Sequence, residues 1–121
     1  MEAIILITGK VNHTVTLDPT LWIFDERRFE MKEYFPDIDG LGMEFAPFLA
    51  HAEPQVDADH VVLHQQDGTQ IPLSLKAAQQ AILQFAEQGK PIGSDGPALF
   101  YLNDGSHRNQ PIGSIRKVEV K

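Results

Sequence analysis

The stretch DHVVLHQQDGTQIPLSLKAAQQAILQFAEQG, residues 59–89, decides the reading of this fold. Residues 59–65 carry the run Val61-Val62-Leu63, and Asp67-Gly68 is a tight-turn signal before a short extended piece at 70–73, so the pattern predicts a β-hairpin. Ser74 then stands where a helix needs a side-chain oxygen for its first amide protons. Leu75, Ala78, Ala81, Ile82, Phe85 and Ala86 fall on one helical face ahead of Gly89, and the spacing predicts an amphipathic helix with its glutamines and glutamate in water. Hairpin followed by helix makes the expected class α+β.

The elements on either side fit that class. Residues 45–52 form a short helix despite Pro47, because Phe45, Phe48, Leu49 and Ala52 repeat at three and four residues, and Pro54 helps to end it. Nearer the N-terminus, residues 3–8 are an aliphatic run stopped by Gly9 and read as a buried strand, followed by extended residues around Val11, Val15 and Leu17. Asp18-Pro19 starts a short helix through Phe24, with the carboxylate as cap and Trp22 and Phe24 as core anchors. Residues 25–39 are rich in charge, hold Phe29, Met31, Tyr34 and Phe35, and have no clear period. Beyond Gly89, Asp95-Gly96-Pro97 leads into a strand at 98–102, Asn103-Asp104-Gly105 is a turn, and residues 115–120 supply a terminal strand. With no repeat, low-complexity tract or linker, residues 1–121 are expected to form one domain.

Composition narrows the classes of function. Of the 121 residues 42% are hydrophobic and 22% charged, the balance of a globular protein and not of a disordered one. There is no cysteine, which excludes disulfides, cysteine-held iron–sulfur clusters and a cysteine nucleophile. Seventeen acidic against ten basic residues give a net charge of -7, which argues against nucleic acid or an anionic membrane as partner. The apolar run Ala3-Ile4-Ile5-Leu6-Ile7 is too short to span a bilayer and lacks the flanks of a secretory signal, so a cytoplasmic protein is expected.

Several constellations invite a chemical reading. His51, Asp57, Asp59, His60 and His64 are the most metal-like group, but on a strand His60 and His64 lie about 13 Å apart at roughly 3.3 Å per residue, too far to share one zinc. Solvated or locally hydrogen-bonded histidines are the expectation there, and no metal site is assigned. His13 lies near Thr14 and Thr16 in a turn-like segment. Ser106, His107 and Asp104 are too close in sequence to aim at one another as a hydrolytic triad, so no catalytic residue is assigned. Gly89, Gly93 and Gly96 precede a strand and are no dinucleotide fingerprint, and Lys10 has no glycine-rich phosphate loop before it. Arg27-Arg28 is expected to pair with Asp25, Glu26 and Glu30. The preferred ligand or partner contact is the donor-rich loop Asp104, Ser106, His107, Arg108, Asn109 and Gln110 between two strands.

Gly9-Lys10-Val11, GMEFAPFLAHAEPQVDADHVVLHQQDG at 42–68, IPLSLKAAQQAI at 71–82, GKPIGSDGPALFYL at 89–102 and SIRKVEV at 114–120 follow one another in an order that resembles the molybdopterin-binding domain of the sulfite-oxidase family. The resemblance covers most of the chain. It implies a mixed α+β domain with a largely antiparallel sheet and short helices and, in active members, oxygen-atom transfer at molybdenum held by a pterin dithiolene and one protein cysteine. Residues 12–41, where the family carries that cysteine, contain none and are short for a pterin-enclosing insertion, and no arginine stands beside the turn before PALFYLND. The resemblance therefore implies a non-catalytic relative that binds a small molecule or a protein, as monomer or weak homodimer, with no cofactor expected. The alternative is a pterin-cofactor-binding oxidoreductase or carrier without a cysteine ligand. A purely structural role, with a sheet edge making a dimer, is a third.

Overall fold

A computed structural model describes residues 4–93, 96–102 and 111–121. In chain order the elements are β1 (Ile5–Gly9), β2 (Val15–Leu17), a 3-10 helix (Pro19–Phe24), β3 (Phe29–Glu30), a 3-10 turn (Met31–Glu33), β4 (Leu41–Glu44), α1 (Ala46–Ala52), β5 (His60–Gln65), β6 (Gln70–Ser74), α2 (Leu75–Gln79), β7 (Ile82–Glu87), β8 (Lys90–Pro91), β9 (Leu99–Tyr101) and β10 (Ile115–Val120). One sheet runs β2-β1-β10-β5-β6; the other runs β3-β4-β7-β8, with β9 also on β7. β1 and β10 are parallel and the remaining strand pairs antiparallel, so the fold is the mixed, largely antiparallel α+β arrangement expected.

The predicted hairpin is β5 and β6, paired from His60 opposite Ser74 to His64 opposite Gln70. Its neighbour β10 aligns Val118 with Leu63 and Val120 with Val61, and all four side chains enter the main core with Ile5 and Ile7 of β1. The second sheet adds Met43, Leu83 and Phe85 to the same core, while Leu49 and Ala52 of α1 and Ala78 of α2 fill the space beside them. Leu6, Thr8, His64, Lys117 and Glu119 alternate with the core residues and are half-buried on the other face of the first sheet.

Two expectations fail. The predicted helix across 75–86 ends at Gln79, and Ile82–Glu87 is a strand. A helix buries one stripe, whereas every residue from Ala81 to Ala86 is buried. Leu83 and Phe85 face the main core, while Ile82 joins Met31, Phe35 and Tyr101 in a second cluster on the opposite side. The strand's backbone is claimed on both edges, since Leu83 lies opposite Met43 of β4 and Phe100 of β9.

Phe24, expected in the core, is 82% exposed. The helix that carries it is 3-10, and its three-residue repeat puts Pro19 and Trp22 on the inner face and turns Phe24 outward. Asp18 does cap this helix, accepting the Thr20 amide proton at 3.1 Å. In the stretch without a clear period, Gly40 brings the chain into β4 at φ +126, where any Cβ would collide with the Ala86 carbonyl.

Candidate ligand cleft

Trp22 pins the 3-10 helix. Its indole stacks on Phe48 of α1 at 5.1 Å and meets Phe85 of β7 edge-on at 5.7 Å. The Arg27 guanidinium lies over the other aromatic partner, 5.0 Å from the Phe48 ring centre, and is itself clamped by Asp25 through Nε at 3.0 Å and Nη2 at 2.8 Å. Those two bonds, and a third from the Arg27 amide, hold the Asp25 carboxyl at about 2, well below its ordinary 3.8.

Opposite the helix, β7 turns into β8 through Gln88 and Gly89, both at positive φ, the backbone that a tight two-residue hairpin demands. Between helix and hairpin lies a cleft of about 400 Å³. Phe85 and Ala86 line it with Pro19, Thr20 and Ile23 of the helix, with residues 89–93 of the hairpin and its continuation, and with Gly96 and Pro97. Gln66, Lys90 and Arg116 complete it. The surface is mostly apolar with a few polar groups, the composition of a small-molecule site.

Arg116 reaches this cleft because β10 is irregular. Its pairing with β5 slips between Ile115 and Lys117, so Arg116 is the extra residue of a bulge, and a bulge re-aims its side chain away from strict alternation. Nη1 donates to the Gly96 carbonyl at 3.1 Å and to the Ile115 carbonyl at 3.3 Å, and Nη2 to Gln66 Oε1 at 2.7 Å. These acceptors are all neutral, and among the described residues no carboxylate lies within salt-bridge distance of the guanidinium.

The suspected metal-like group is dispersed. Asp57 accepts from Lys10 at 2.9 Å, His60 Nδ1 meets Asp59 at 2.6 Å, and His64 Nε2 meets Glu119 at 2.9 Å on the outer face of the first sheet. Each of these three carboxylates is held below its ordinary pKa first by that one hydrogen bond. His51 instead shares a shallow, open depression with His13 and Glu53, and His13 Nε2 lies 3.1 Å from the Glu53 carboxylate. Among the described residues no group of three or more histidines and acids is placed to hold a metal ion. Arg27 pairs with Asp25 as expected, while Arg28 donates to the Asp25 carbonyl at 2.9 Å. The preferred contact loop, Asp104, Ser106, His107, Arg108, Asn109 and Gln110, lies outside the described residues.

Arg116 and Lys90 were not singled out as site residues from the sequence. A signal for Arg116 is present: Ile115, Val118 and Val120 enter the core at spacings of three and then two, and that break in a two-residue alternation marks the bulge.

No family model and no curated protein sequence matches the chain. Among solved structures, the chain is similar to the sulfane dehydrogenase SoxCD from Paracoccus pantotrophus, with a TM-score of 0.69 and 10% identity. The match covers 97% of this chain and 37% of that one. At that identity the likeness is one of fold alone. The residues present do not fit a cysteine-ligated molybdenum centre, because the chain contains no thiolate to supply the protein ligand.

Proposed function

We propose that this protein is a non-catalytic binding relative of molybdopterin-binding oxidoreductase domains, that residues 1–121 act as one domain, and that the cleft beside Trp22 and Phe85 receives a small ligand. One observation carries the reading. The cleft is lined mainly by apolar surface, and its described polar side chains, Thr20, Gln66, Lys90 and Arg116, offer neither a carboxylate nor an imidazole to act as general base. Such a lining favours binding and orientation over bond-making. The loop at 103–110 is proposed as a second contact surface on its sequence alone.

Native mass spectrometry on protein from cells able to make molybdenum cofactor, with metal and pterin analysis of the same sample, tests the non-catalytic assignment. The expected result is a monomer or weak dimer without stoichiometric pterin. Stoichiometric pterin with molybdenum or tungsten would overturn it in favour of the second reading, a pterin-cofactor-binding oxidoreductase or carrier without a cysteine ligand, which the shared fold supports.

The site itself is tested by Gly93→Phe. Gly93 lines the cleft and a Cβ there meets nothing within 4 Å, so a bulky side chain can be added at its wall without a clash at the Cβ. The variant is expected to keep wild-type stability while losing ligand-induced NMR shifts at Phe85, Ala86 and Ile92.

A further inference from the structure

The lining of the cleft specifies a class of ligand. This step rests on the cleft being a binding site. The protein carries a net charge of -7, yet the only charged side chains among the described lining residues are Lys90 and Arg116, both cationic. In an acidic molecule, two cations among the described lining residues favour positive potential there. Arg116 is also held in place in advance. Gln66 and two backbone carbonyls take bonds from Nη1 and Nη2, while Nε–H donates to no described residue. A guanidinium carries five N–H donors, so an arrangement satisfied on one side by neutral oxygens keeps donors for an acceptor entering the cleft. The remaining surface, Phe85, Ile23 and Pro97 among it, offers carbon.

We propose that the cleft binds an amphipathic monoanion: a small aryl or alkyl body against Phe85 and Ile23, with a carboxylate on Arg116 and Lys90 near it. The volume of about 400 Å³ falls at the lower end of ligand pockets and suits one or two rings, not a long chain. The carboxylate shape matters, because a planar two-oxygen head matches the planar donor edge of arginine.

The test is titration of the isotopically labelled full chain, followed by NMR, with 2-naphthoate, 2-naphthalenemethanol and 2-naphthylmethylammonium, which share one apolar body. The acid is expected to bind about tenfold more tightly than the alcohol, the worth of one charge-assisted hydrogen-bond pair, and the ammonium more weakly than either. Arg116→Gln should close the gap between acid and alcohol, while Arg116→Lys should retain part of the difference. If the glutamine variant does not fold, salt serves on the wild type, because screening should weaken the acid and spare the alcohol.

Equal binding of acid and alcohol, or an acid affinity indifferent to both Arg116 and salt, overturns the anion assignment while leaving the cleft as a binding site. Shifts that avoid Phe85, Ala86 and Ile92 for all three probes overturn the cleft reading itself.

Discussion

The two sheets of this protein are built on different rules. Strands β1, β5 and β10 of the first sheet put alternate residues into the core and leave Leu6, His64 and Glu119 half-buried on the far side. Strand β7 of the second sheet has no outer side: Leu83 and Phe85 go to the main core, and Ile82 goes to the cluster with Met31, Phe35 and Tyr101. A strand with one wet face tolerates change on that face. A strand buried twice tolerates it on neither, and the candidate site stands on that less forgiving strand through Phe85 and Ala86.

Truncation gives the largest expected contrast. Phe85→Ala removes a buried ring that meets Trp22 and lines the cleft, and should cost about 3–5 kcal/mol in denaturant unfolding. Leu6→Ala, on the far face of β1, should cost no more than about 1.5 kcal/mol, since a half-buried side chain forfeits only part of its transfer energy. Equal losses at the two positions would mean that the outer face of the first sheet is covered in solution, and would turn attention to a dimer formed there.

A smaller effect is expected from the one polar side chain buried within β7. Gln84 is 2% exposed and fully occupied: Nε2 donates to the Asp39 carbonyl at 2.8 Å and the Ala86 carbonyl at 3.0 Å, and Oε1 accepts from the Tyr101 hydroxyl at 2.9 Å. It ties the loop before β4 to the strand pair β7–β9. Gln84→Leu should cost about 1–3 kcal/mol, because it strands a buried hydroxyl without its acceptor. Adding Tyr101→Phe removes the stranded donor and should recover part of the loss, a coupling that two independent sites would not show.

The same difference between the sheets explains what the sequence disclosed. Val61-Val62-Leu63 with Asp67-Gly68 was legible as a hairpin because a short β-branched run ends on a turn signal that leads straight into its partner strand. Ile82 to Ala86 was not, since continuous burial gives no two-residue alternation, and the spacing of Ala78, Ala81, Ile82 and Phe85 imitates a helix. Ser74 was a true cap, accepting the Ala77 amide proton at 3.0 Å, but of a helix only five residues long. The strand at Leu41–Glu44 was hidden for a related reason, because its partner β7 had been read as helix. The cleft was legible only in fragments. The turn residues around 89–97 announced irregular backbone, whereas the meeting of Arg116 with Gln66 and Gly96 depends on contacts 50 and 20 residues away in sequence.

The smallest expected effect concerns the turn that joins the 3-10 helix to the second sheet. The Asp25 carboxyl sits at about 2 in the folded protein, against an ordinary 3.8, so the folded state favours its ionised form. Its contribution to stability is therefore complete above about pH 5, declines as the pH falls below the ordinary carboxylate value, and is lost as the pH falls through about 2. Asp25→Asn keeps the shape but loses the charge. Urea midpoints for wild type and variant should differ at pH 6 and converge toward pH 3, with the wild type doing most of the moving. The paired carboxylates Asp57, Asp59 and Glu119, also held below their ordinary values, make both proteins less stable in acid, so the gap between the two curves is the quantity that isolates Asp25. A gap that stays constant with pH would place the role of Asp25 in turn geometry alone. A gap that closes would show that the charge Asp25 places on the Arg27 clamp contributes to stability.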